Sequence, residues 1–332
     1  MDYEIAPLPF KPHRLEGLSD RLLLSHYENN YGGAVRRLNA IGKRLADLDW
    51  ATAPVFEING LKREELIAMN SMILHEVYFD GLGEGGGGDP AGALAAALER
   101  DFGSVARWKA GFVALAKAQG GGSGWTLVSW SPRAGRLVNA WAADHTHGVA
   151  DGLPVLALDM YEHAYHMDFG AKAAAYVDAV MRNIHWQRVG DRYGRIIAGL
   201  PPASPAPVDA AGAPMATVAE LKTRLDGGEE IALLDVCLRE DLDRKGDALP
   251  RARWRDPERI AEWASEVRRG VPVIAYCLYG FQVSQNAAAE MRKLGIDARS
   301  LSGGIAAWRA SGFATEPIPP SGAGGRAQNR RE

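Results

Sequence analysis

The chain has 332 residues, 47% of them apolar and 24% charged, with a formal net charge of −3. That is the composition of a soluble globular protein long enough for two domains, and the near-balanced charge excludes a global pull toward nucleic acid or an anionic membrane. No apolar run approaches the roughly 18 residues of a membrane span. The opening "MDYEIAPLPFKPHRLEG" lacks the basic-then-apolar order of a signal peptide, and two cysteines cannot build a disulfide framework, so a cytoplasmic protein is expected.

The first half reads as helix. In "LSDRLLLSHYENNYGGAVRRLNAIGKRLADL", Ser19 or Asp20 supplies an N-cap to a long helical stretch, with Gly32 and Gly33 as candidate kinks. A second helix runs from Leu61 to Phe79, "EGGGGDPAG" is a loop, and an Ala-rich helical stretch follows that breaks near Gly103. The period then changes. "GWTLVSWSPRAGRLVNAWAAD" predicts two strands around the turn "SPRAGR", "LPVLALD" a buried strand ending at Asp159, and "EHAYHMDFGAKAAAYVDAVMRNI" a last helix.

Composition shifts at "GLPPASPAPVDAAGAPMA", where Pro, Ala, Gly and Ser dominate, which predicts an extended interdomain linker over residues 198–213. Residues 214–317 then alternate between strand and helix. Thr217 and Glu220 form a capping box before the helix "TVAELKTRLDGG", and "IALLDV" is a strand. Asp256 and Pro257 open the helix "DPERIAEWASEV". The strand "VPVIAYC", the helix "SQNAAAEMRKLG", the short strand "ARSL" and the helix "GGIAAWRASG" complete the order. Alternation of this kind means a parallel sheet covered by helices. Residues 318–332 have no apolar pattern and read as a disordered, mildly basic tail.

Eight histidines fall in the first domain: His13, His26, His75, His145, His147, His163, His166 and His185. Taken singly, each is more often a surface or satisfied core residue than a ligand. Asp159 stands apart. It ends a strand of Val and Leu, where a buried carboxylate needs a partner or a metal, and His163 follows four residues later.

At these residues the chain over 1–197 resembles the iron/manganese superoxide dismutases. The motifs are "YEIAPLPF", "LSHYENNY", "LHEVYFDGL", "GGSGW" in place of FGSGW, and "LDMYEHAY" against D-x-W-E-H-A-Y. The resemblance implies a helical hairpin followed by an α/β domain, superoxide as substrate, and one Fe or Mn per chain held by His26, His75, Asp159 and His163. It implies His145 as the group beside the reacting centre. It also implies a homodimer, or dimer of dimers, in which Glu162 reaches across to the partner's ligand His. Tyr78, Trp125 and Tyr161 are expected around the ligands. The surroundings depart from the family at Asn30 for a His, Ala34 for a Tyr, Tyr161 for a Trp and His166 for a Tyr.

Cys277 ends the strand "VPVIAYC" and faces a loop and a helix N-terminus, a position that favours thiolate. Residues 214–317 resemble the rhodanese family through "LLDV", "YCLYGFQVSQNAAAEMRKLG" and "LSGGIAAW". The resemblance implies Cys277 as the persulfide-forming nucleophile, with backbone N–H groups of Leu278, Tyr279, Gly280, Phe281, Gln282 and Val283 cradling the sulfur anion. The family's usual loop is cationic, C-R-x-G-x-R. Leu278 and Gln282 stand at its Arg positions, which argues against efficient use of thiosulfate, and Val283 stands where a related phosphatase needs Arg. Cys237 follows "LLDV" where the family has Arg, and is a candidate resolving thiol for Cys277 as well as an ordinary small core residue.

The leading expectation is metal-dependent superoxide dismutation, giving oxygen and hydrogen peroxide, with an appended rhodanese-like thiol module that takes a small sulfur donor. The alternative is a sulfurtransferase or thiol-redox sensor whose metal-binding domain is a scaffold of weak or absent dismutase activity. A binding protein that has lost both activities is a third reading, opposed by the intact ligands and the intact Cys277.

Overall fold

The computed structural model describes residues 2–201 and 207–318, so the expected tail beyond residue 318 lies outside the described residues. The chain divides into two compact units, Met1–Pro205 and Ala206–Glu332.

In the first unit Ser19 caps α1 (Asp20–Ser25), its hydroxyl accepting from Leu22 N–H at 3.0 Å. The helix continues through a π-helical turn, His26–Tyr31, into α2 (Gly32–Ala46). The irregularity therefore falls before the two glycines, which sit in regular helix. The i→i+5 spacing of the turn brings His26 and Tyr31 toward one face, and both are buried there. α2 packs against α3 (Val55–Asp80), the expected hairpin, although α3 begins six residues earlier than its apolar pattern indicated. α4 (Gly92–Phe102) ends on Gly103 in a left-handed conformation, and Ser104 caps α5 (Val105–Ala118).

β1 (Trp125–Ser131), β2 (Arg136–Ala142) and β3 (Leu153–Asp159) form an antiparallel sheet in the order β2-β1-β3. Its register sets Trp125 opposite both Ala142 and Asp159. Gly124 lets the strands close at this end: a Cβ there would sit 1.9 Å from the Ala142 carbonyl oxygen. The expected last helix is broken. A 3₁₀ turn, Glu162–Ala164, leads to the short α6 (His166–Phe169), Gly170 turns the chain, and α7 (Ala173–Arg182) follows. A further helix, α8 (Trp186–Ile197), was not expected from the sequence. It buries only Val189 and Tyr193, and Gly190 and Gly194 weaken its local signal.

The second unit begins with α9 (Val218–Asp226), capped by Thr217, whose hydroxyl accepts from Glu220 N–H at 3.1 Å. β4 (Ala232–Asp235), α10 (Arg239–Lys245), β5 (Asp247–Ala248) and β6 (Arg253–Trp254) follow, the last three too short to show a period. Asp256 does not cap a long helix. Its carboxylate accepts from Glu258 N–H, and helix is confined to α11 (Ile260–Trp263) and a 3₁₀ turn, Ala264–Glu266. β7 (Val273–Tyr276), α12 (Gln282–Lys293), β8 (Ala298–Ser300), α13 (Gly304–Ala310) and β9 (Glu316–Pro317) complete it. The sheet β6-β4-β7-β8 is parallel throughout, and Leu234, Val236, Ala275 and Val273 pack with Trp263 and Met291. Residues 207–214 are not free chain. Asp209 is buried, accepts from Ala211 and Ala213 N–H, and pairs with Arg292 at 2.6 Å.

Candidate metal centre

Four elements converge in the first unit. The π turn supplies His26, α3 supplies His75, the end of β3 supplies Asp159, and the 3₁₀ turn supplies His163. Their four ligand atoms lie within 4.8 Å of one another. Asp159 Oδ2 is 3.0 Å from His26 Nε2, 3.1 Å from His163 Nε2 and 3.5 Å from His75 Nε2. Asp159, His26 and His75 are fully enclosed, whereas the His163 side chain is a quarter exposed.

Electrostatics match the geometry. Burial by itself would raise the Asp159 carboxyl, but the imidazoles of His163 and His26 hold it well below the usual carboxylate range. Burial pushes His26 and His75 down, so both rings are neutral. His75 Nδ1 lies 2.7 Å from the Ser71 carbonyl, which only accepts, so Nδ1 carries the proton. The lone pair of His75 Nε2 is left toward Asp159, buried and without a hydrogen-bond partner among the described residues. Three imidazoles and one anionic carboxylate around an unpartnered donor atom fit Fe or Mn.

A ring of aromatic groups encloses the donors. Tyr78 and Phe79 lie 5.2 and 5.0 Å from His26, and the Tyr176 hydroxyl donates to that of Tyr78 at 3.2 Å. Trp125 meets His75 edge-on at 5.2 Å and donates its indole N–H to His145 Nδ1 at 3.0 Å. His145 stacks on Tyr161 at 4.8 Å, and Tyr161 on His163 at 5.3 Å. Burial lowers His145, and burial with the Asp159 charge pushes Tyr161 up to about 12. The carboxylate of Asp159 also accepts from Tyr161 N–H at 2.9 Å.

Not every expected residue joins this assembly. Ala34 is buried in α2, Asn30 is half-buried on the π turn, and His166 is exposed at the start of α6, outside the group of four ligand atoms. Glu162 is exposed beside His163. Sequence reasoning missed Ser71 and Asn70. Ser71 lies one helical turn before His75, a spacing that was visible. Asn70, whose amide donates to the His145 carbonyl at 2.6 Å, was not visible, because the contact spans 75 residues.

In the second unit Cys277 follows β7 directly, with its Sγ 3.2 Å from Ser284 Oγ in the first turn of α12. The Cys277 and Leu278 carbonyls accept from Ile305 and Ala306 N–H, which pins the loop to α13. Cys237, Leu242 and Cys277 form one buried cluster with Trp254, Leu278 and Val283 packed against it. Both cysteines are free thiols.

The first unit therefore has the fold and donor set of a redox-metal centre, and the second those of a parallel α/β thiol domain. The chain belongs to the iron/manganese superoxide dismutase family. It is 68% identical over 197 residues to the superoxide dismutase [Fe] of Cupriavidus metallidurans, covering 59% of this chain and 99% of that one. It is 34% identical to the superoxide dismutase [Fe] of Aquifex aeolicus, with 55% and 87% covered, and 31% identical to a superoxide dismutase [Mn] of Halobacterium salinarum, with 58% and 95% covered. Residues 90–192 match the iron/manganese superoxide dismutase C-terminal domain, and residues 217–311 match the rhodanese-like domain. Among the described residues no helix is long and apolar enough to cross a membrane.

Proposed function

We propose that the chain dismutes superoxide to oxygen and hydrogen peroxide at the His26, His75, Asp159 and His163 centre, and that the rhodanese-like domain carries a separate thiol chemistry at Cys277. One observation carries the first part: four donor atoms within 4.8 Å, one of them buried with no protein partner. The same donors suit iron or manganese, one per chain, and the 68% identical relative named for iron favours iron. The bound metal would supply a one-electron acceptor and donor, taking an electron from one superoxide and giving it to the next.

The chain's own groups set the charge of the site and handle protons. His26 and His75 stay uncharged because they are buried, and Asp159 stays anionic because imidazoles flank it. Since Trp125 donates to His145 Nδ1, the neutral His145 ring holds its proton on Nε2. That N–H is the one this ring can lend, and Tyr161, stacked on it, stays protonated through the neutral range. Asn30, Ala34 and His166 together would leave the entry wider than a Tyr-lined one.

Exposed Glu162 supports a homodimer bridged at that residue, and two free cysteines suit a reducing, cytoplasmic setting. Metal analysis with a dismutation assay on the wild type and His26→Ala tests the proposal. About one Fe or Mn per chain and activity, both lost in the variant, are expected. A fully metallated protein no faster than buffer would overturn it.

A further inference from the structure

The loop after Cys277 reads Leu278, Tyr279, Gly280, Phe281, Gln282 and Val283, without a single charged side chain. Leu278 and Val283 turn into the apolar cluster that holds both thiols. A loop without cations gives an anionic sulfur donor no charge pairing, whereas a small neutral oxidant needs none. Cys237 and Cys277 leave the ends of adjacent parallel strands: the ladder pairs Asp235 with Tyr276, and Val236 N–H donates to the Tyr276 carbonyl at 2.9 Å. The two thiols are the polar members of one buried cluster, Cys237 at 1% exposure and Cys277 at 7%. The difference suggests their order of reaction, because Cys277 is the more exposed of the two.

We propose that Cys277 and Cys237 form a peroxide-reducing dithiol, in which Cys277 meets hydrogen peroxide and Cys237 resolves the product as a disulfide. The Cys277 thiolate attacks one peroxide oxygen, the O–O bond breaks, and the sulfur becomes a sulfenic acid while the hydroxide released takes a proton and leaves as water. Cys237 then attacks the Cys277 sulfur, the S–S bond forms, and the second oxygen leaves as water. The balance is two thiols and one hydrogen peroxide to one disulfide and two waters. Cys237 must lose its proton in the second step. Burial and the neighbouring Asp235 carboxylate push its thiol up, so at rest it is protonated and does not compete for peroxide. The Asp235 carboxylate, which also accepts from Cys237 N–H at 3.1 Å and pairs with buried Lys245, is placed to take that proton when the sulfur attacks. Ser284 Oγ, which donates to the Phe281 carbonyl at 3.3 Å, lies 3.2 Å from Cys277 Sγ and can turn its hydroxyl to the thiolate. Renewed turnover requires an external dithiol reductant.

This activity rests on the dismutase reading only for the origin of the peroxide, which would be the product of the same chain. The test therefore adds hydrogen peroxide directly to the reduced full-length protein, so failed dismutation and failed thiol chemistry give separate results. Equimolar peroxide followed by alkylation and intact-mass and peptide analysis should yield a species with neither thiol alkylated and the peptides of Cys237 and Cys277 linked, reversed by dithiothreitol. In Cys237→Ser the same treatment should leave a sulfenic acid at Cys277 that dimedone traps, and Cys277→Ser should leave Cys237 alkylatable. Both thiols still alkylatable in the wild type, or Cys277 passing to sulfinic acid equally fast with and without Cys237, would overturn the proposal. The wild-type peptide analysis decides it even where a variant fails to fold.

Discussion

The Nδ1–H of His75 donates to the Ser71 carbonyl at 2.7 Å, one helical turn earlier on α3. This bond fixes the tautomer, and so delivers the Nε2 lone pair to the buried face of Asp159. An ordinary helix spacing has thus become the orientation of a candidate ligand.

The first prediction follows directly. His75→Gln removes the donor without emptying the pocket, and His26→Ala removes another. Each should cut bound Fe or Mn from about one per chain to near zero, measured by elemental analysis after dialysis. Full metal occupancy in both variants would mean that the donors lie elsewhere.

His145 differs, because it touches the candidate ligands only through rings. Trp125 gives it an indole hydrogen bond at 3.0 Å and Tyr161 stacks against it. His145→Ala should keep most of the metal while lowering dismutation by roughly 10–100-fold. A variant that loses metal and rate in proportion would place His145 among the ligands instead.

Asp209 supplies a pH prediction for the second unit. Burial acts to raise its carboxyl, yet the Arg292 guanidinium and the N–H groups of Ala213 and Ala211 hold it below its ordinary value of 3.8. A carboxyl held low stabilises the fold fully above that ordinary value, and the contribution fades as pH falls below it. Asp209→Asn should therefore cost roughly 2 kcal/mol at neutral pH and much less near pH 3. Denaturant unfolding at the two pH values measures the difference, and an equal loss at both would remove the charge from the explanation.

The Cys277 loop makes its own prediction. Gln282 is exposed, so Gln282→Arg restores one cation of the rhodanese-type loop at little structural cost. It should raise cyanide-dependent sulfur transfer from thiosulfate several-fold, and Cys277→Ser should abolish that transfer. Gly304→Ala tests the loop's anchor: its φ of +56° and a Cβ 2.2 Å from the Cys277 carbonyl oxygen leave no room for a side chain. That variant should lose transfer while bound metal is unchanged.

Much of the site was legible in the chain. Asp159 and His163 declared themselves by a carboxylate at the end of an apolar strand with a histidine four residues on, and the ordered motifs placed His26 and His75 with them. The helical first half, the three antiparallel strands and the parallel alternation around Cys277 followed from period and turn chemistry, and the pairing of the helices as a hairpin from the resemblance. The misses share a cause. α8, α10 and β6 are short or glycine-bearing, and Asp256 carries the residue type of a cap without the helix to follow. Their conformation is fixed by neighbours distant in sequence, to which local propensity is blind.

The sequence by itself singled out the candidate donors, Asp159 and His163 by residue type and spacing, and His26 and His75 through the family resemblance of their motifs. Only the tertiary structure decided how those atoms are presented. It placed the π turn that faces His26 inward and the 75-residue reach of Asn70 to the His145 loop. It moved Asp209 from an apparent linker into a buried ion pair, and gathered Cys237 and Cys277 into one cluster. Each is a contact between segments far apart in the chain, and such contacts exist only once the apolar faces have packed and fixed the distances.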